Sequence, residues 1–104
     1  MITVRVRYLH GKVNAISLSG HGGGEYGKDL VCAGASSCFV GAVNALKDRK
    51  GFLCQMKSGD SVLQAKGEVS EYDEVVLETL VTQLQTIADS YPKNLCVIVS
   101  RKEG

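Results

Sequence analysis

The chain has 104 residues, enough for one domain that buries a core of its own. Apolar residues make up 44% and charged residues 22%, and twelve basic against eleven acidic side chains leave a formal charge of +1, which argues against a disordered tail, a fibrous repeat or a nucleic-acid-binding surface. There is no apolar leader and no stretch long enough to span a bilayer, so we expect no membrane association.

Ile2, Val4, Val6 and Tyr8 alternate with Thr3, Arg5 and Arg7, the period of a half-buried strand. His10-Gly11-Lys12 reads as a turn, and Val13 to Ser19 as a second, less strictly alternating strand of the same hairpin. Five of the eight residues from Gly20 to Gly27 are glycine, which predicts a flexible loop that orders on a bound peptide. Helical spacing then begins, with Leu30, Ala35, Cys38, Phe39, Ala42, Val43 and Leu46 on one side, and predicts a helix over Leu30 to Asp48 capped by Asp29. Gly34 and Gly41 would let that helix approach a sheet closely. Gly51 to Met56 and Ser61 to Lys66 read as a second hairpin. Val76, Leu77, Leu80, Leu84, Ile87 and Ala88 make an amphipathic stripe, which Pro92 keeps from running far beyond Tyr91. Leu95 to Val99 is suited to a buried last strand. The expected architecture over 1–104 is a single two-layer α/β domain of order ββαββαβ, with helices packed on a mixed sheet.

Chemistry concentrates between Gly20 and Ser36, in GHGGGEYGKDLVCAGAS. A histidine leaves the end of a strand, a glycine-rich segment follows, and Cys32 stands just inside the expected helix, the outline of a thiol nucleophile with an imidazole base. A thiol attacks carbonyl carbon as its thiolate, which a helix start stabilises only modestly; an imidazolium at His21 would supply the rest. Unpaired first-turn amides around Cys32 would bind the oxyanion of acyl transfer.

Plainer readings stand beside this one. A lone helical cysteine is more often a small core residue, and that reading is kept for Cys38, Cys54 and Cys96, the last two in apolar strands. With no leader and no metal-type spacing, all four are expected as reduced thiols of a cytoplasmic protein, without metal or cofactor. Asp29 is more often a cap than an orienting carboxylate, and Ser36 and Ser37 either serve the site or bond backbone within the helix. Gly22 to Lys28 also fits G-x-x-x-x-G-K, a phosphate loop, but the next position is Asp29, where a hydroxyl is needed for magnesium.

GHGGGEYGKDLVCAGAS closely resembles the ribosomal-processing cysteine protease family, Prp, whose members carry a Gly-His, a glycine-rich loop and an Asp-[Ile/Leu]-Val-Cys-Ala stretch. The resemblance implies that His21 and Cys32 are the catalytic pair, with Asp29 and Ser36 as supporting residues and Gly22, Gly23, Gly24 and Gly27 in the substrate loop. It further implies a cytoplasmic bacterial homodimer, a cysteine endopeptidase that removes a short apolar N-terminal extension from the precursor of large-subunit ribosomal protein number twenty-seven during ribosome assembly. Some relatives act on phage structural proteins instead. Two other readings remain at this level: a phosphate- or nucleotide-binding module built on Gly22 to Lys28, and a ribosome-associated binding protein without turnover.

Overall fold

The computed structural model describes residues 1–20, 26–57 and 59–103, with the side chains of all of these except 26–29. The strands β1 (Ile2–Leu9) and β2 (Lys12–Ser19) are followed by helix α1 (Tyr26–Ala45), and a short 3-10 turn at Arg49–Gly51 leads to β3 (Phe52–Lys57) and β4 (Asp60–Ala65). Helix α2 (Glu71–Ser90) and β5 (Leu95–Lys102) complete the expected ββαββαβ order. The five strands form one sheet in the order β3-β4-β2-β1-β5, antiparallel throughout except for the parallel β1–β5 pair.

The first hairpin closes through His10 (φ 52°) and Gly11 (φ 78°), both left-handed, as a two-residue loop that matches strand twist requires. His10 is thereby a turn residue. The weaker alternation of β2 has a structural cause: Arg7 pairs with Ala15 but Tyr8 with Val13, so Asn14 is an extra residue and the strand bulges. The Val13 amide is bonded by Glu74 Oε1 at 2.7 Å.

One side of the sheet is apolar and covered by the helices. Ile2, Val4 and Val6 of β1, Ile16 and Leu18 of β2 and Leu63 of β4 form one cluster with Val31, Ala35, Phe39 and Val43 of α1 and Leu77, Leu80 and Leu84 of α2. Among these sits one buried carboxylate, Asp73, 1% exposed. It accepts from the Lys47 and Asp48 amides at 2.8 and 3.1 Å, while its own amide donates to the cap Ser70 Oγ at 3.2 Å. One side chain therefore closes the end of α1 onto the start of α2.

Several expectations are corrected. α1 begins at Tyr26 and ends at Ala45, so Asp29 lies inside the helix and is not its cap, and Gly27 is helical rather than part of the loop. The remainder of that loop, 21–25, lies outside the described residues. A Cβ on Gly34 would meet Ile87 of α2 at 3.7 Å, and one on Gly41 would meet nothing within 4 Å, so neither glycine is there for contact with the sheet. β5 is an edge strand running on to Lys102, and only Leu95 in it is buried; Ile98 and Val99 are each 47% exposed. Among the described residues no helix is long and apolar enough to cross a membrane.

Candidate active site

Two elements converge on Cys32. The first is α1, where Cys32 and Ser36 stand one turn apart on one face of the helix. The second is the end of the sheet made by β1, β2 and the β3–β4 hairpin. Together they enclose a cavity of about 150 Å³ lined by Cys32, Ala35 and Ser36 from the helix, and by Leu18, Gly20, Lys57, Gly59, Asp60 and Ser61 from the sheet.

The sheet wall is held firmly. Gly20 ends β2 with φ 104°, and a side chain there would collide with the Met1 carbonyl, so glycine is required on two counts. The Gly20 amide donates to the Gly59 carbonyl at 3.0 Å, and Ser19 lies opposite Asp60 in the ladder. The chain is thus fixed to the hairpin turn at the residue directly before His21. His21 itself, with Gly22, Gly23 and Gly24, lies outside the described residues, as does the side chain of Asp29.

Cys32 is half-buried and packs against the core cluster. It is the seventh residue of a helix that starts at Tyr26, not a first-turn residue. The Cys32 amide is therefore inside the hydrogen-bond ladder, and the expected oxyanion donors of the helix start are not at the thiol. The dipole of the helix end also fades within its first turn, so position 32 gains less from it than a first-turn residue would.

The other cysteines are free and half-buried as well, so the expectation that Cys38, Cys54 and Cys96 are shielded by burial fails. Cys38 and Ser37 line a separate apolar groove of α1 and α2, with Tyr72 and Val75, which takes Ser37 away from the site. Cys54 is on β3 opposite Leu63, and Cys96 Sγ lies 3.8 Å from Thr3 Oγ1 on β1. Only Cys32 lines the cavity at the sheet end. Lys57, Asp60 and Ser61 were missed from the sequence, where Lys57 and Asp60 read as an ordinary turn and Ser61 as the start of a strand; the strand order that brings β4 beside β2 is what carries them to the cavity that Cys32 lines. Among the described residues no three His, Cys, Asp or Glu side chains gather as a metal site would require.

The family model for cysteine protease Prp matches residues 1–96. The chain is similar to the ribosomal processing cysteine protease Prp of Staphylococcus aureus strain Mu50, with 34% identity over 101 residues, 91% of this chain and 95% of that protein. It is also similar to the protein of that name from Bacillus subtilis strain 168, at 30% over 107 residues and 93% and 96% of the two chains. Among solved structures, the Staphylococcus aureus protease Prp in complex with a substrate peptide superposes with a TM-score of 0.84 at 30% identity, covering 96% of this chain and 100% of that one. A related structure of the same protease holds a covalently linked product peptide, with a TM-score of 0.81. SMU.848 from Streptococcus mutans shares the fold, with a TM-score of 0.86 at 24% identity.

Proposed function

The chain belongs to the Prp family of cysteine proteases, and from that premise we propose that it is an endopeptidase in which Cys32 is the nucleophile and His21 the base. The observation that supports this reading most is the cavity at the sheet end. It is lined by Cys32, and its wall includes Gly20, the residue to which His21 is joined.

The chemistry follows from those groups. His21 takes the Cys32 proton, and the imidazolium so formed stabilises the thiolate. Sγ attacks the scissile carbonyl carbon, the carbonyl electron pair moves to oxygen, and collapse expels the amine, which leaves with the proton held by His21. Water, with His21 again as base, then cleaves the thioester to a carboxylic acid and the free thiol. Asp29 and Ser36 serve in support, and Gly22, Gly23 and Gly24 lie along the bound peptide.

The proposed substrate is the precursor of large-subunit ribosomal protein number twenty-seven, from which a short apolar N-terminal extension is removed during ribosome assembly. The enzyme acts as a homodimer in the bacterial cytoplasm, without cofactor and without direct contact to nucleic acid. Incubation with a precursor carrying the extension, followed by mass spectrometry of the products, tests the reading. One cut after the extension is expected, abolished in Cys32→Ala. Full turnover by Cys32→Ala, or an intact precursor with the native chain, overturns it, and a monomer in light scattering overturns the dimer.

A further inference from the structure

Attack on the scissile carbonyl leaves a negative charge on oxygen, and that charge is stabilised best by a hydrogen-bond donor already in place and partly shielded from water. At Cys32 the helix has no such donor, because α1 starts at Tyr26 and the Cys32 amide is spent within the helix. Among the described residues the opposite wall is left to supply it. There the Gly20 amide is already committed to the Gly59 carbonyl. Lys57 and Asp60 are exposed and face each other in the ladder on the side away from the helices, since Phe52 and Ala65, buried against the helices, fix the alternation of β3 and β4.

Ser61 falls on the helix side. It stands opposite Leu18 on one neighbour and Met56 on the other, half-buried, and Leu63 and Ala65, the next residues of β4 on that side, are apolar and buried. Ser61 lines the cavity that Cys32 lines, and its side chain makes no hydrogen bond among the described residues. Ser36 is exposed, and water weakens what a donor there contributes.

We propose that Ser61 donates its hydroxyl hydrogen to the oxyanion formed when Cys32 attacks the substrate. The inference rests on Cys32 being the nucleophile. As the C–S bond forms, the carbonyl π pair moves to oxygen and accepts this hydrogen bond; on collapse the pair returns, the C–N bond breaks, and the amine leaves with the His21 proton. Ser61 gives up no proton at any stage.

The test compares a cleavable peptide with the aldehyde of the same acyl-side sequence, whose hemithioacetal oxygen occupies the oxyanion position. Ser61→Ala should lower kcat on the order of 10²-fold and weaken the aldehyde by a similar factor, with KM changed less than about threefold. Iodoacetamide should still label Cys32 at the native rate, and Ser61→Thr should recover part of kcat. If Ser61→Ala folds poorly, Ser61→Cys, nearly isosteric but a far weaker donor, should show the same loss of kcat. A kcat within about threefold of native in the folded variant, or equal weakening of peptide and aldehyde, overturns the proposal. Turnover retained by Cys32→Ala would instead overturn the nucleophile assignment.

Discussion

All four cysteines are half-buried, so none is set apart as fully exposed, and selective labelling would report chemical activation. Limited iodoacetamide at neutral pH should mark Cys32 ahead of Cys38, Cys54 and Cys96, and His21→Ala should remove most of that advantage; peptide mass mapping measures both. Glu74 poses a different question at the same scale. Burial raises its carboxyl above the ordinary 4.5, the neighbouring Glu78 adds to this, and the Val13 amide and Lys12 oppose it. Its Oε2 is buried with no hydrogen-bond partner among the described residues. Between the unfolded value and the raised folded one, the folded chain binds more protons than the unfolded chain, so this group makes stability fall as pH rises. Glu74→Gln keeps an acceptor for the Val13 amide and removes the charge. It should therefore raise the melting temperature at pH 7 and lose that advantage on acidification through the same window; a deficit at pH 7 would show that the charge is needed.

Each helix has its own weak point. Asp73 lies four residues before Leu77, in phase with the apolar stripe of α2, and that phase was a legible sign that its carboxylate points inward. What it binds was not legible, since the Lys47 and Asp48 amides come from another element. Asp73→Ala leaves both amides unsatisfied and should cost about 2–4 kcal/mol, roughly 10–20 °C in melting temperature for a domain of this size. Gly41 in α1 has open space at its Cβ position, so Gly41→Ala should gain about 0.5–1 kcal/mol in thermal or denaturant melts. The start of α1 was missed for a related reason. Gly27 reads as a breaker, but its propensity cost of about 1 kcal/mol is small beside the burial of Val31, Ala35 and Phe39 that follows.

At the scale of the whole molecule, element order and type were legible because alternation and the helical stripes report which side of each element is apolar. Neighbours were not. LCVIV reads as a buried strand, yet β5 takes the edge, because periodicity records residue type and carries no information on what lies beside a strand. The same gap hid Lys57, Asp60 and Ser61, while His21 and Cys32 stood out through a local motif. Gly20→Ala tests how far the sheet wall depends on one residue: a methyl group would strike the Met1 carbonyl at a left-handed position. Loss of cleavage together with a lowered melting temperature is expected, and native behaviour in both would show that the Gly20–Gly59 contact is dispensable.

The parallel ladder between β1 and β5 joins Ile2 to Leu95. At a synthesis rate of roughly 5–20 residues per second, the first strand waits about 5–20 s for its partner. Such distant pairing also slows the search for the native state once the chain is whole. Until then Val4 and Val6, both essentially fully buried in the finished sheet, lack one flank, so the interval between making β1 and making β5 is when the nascent chain is most open to strand pairing with other chains.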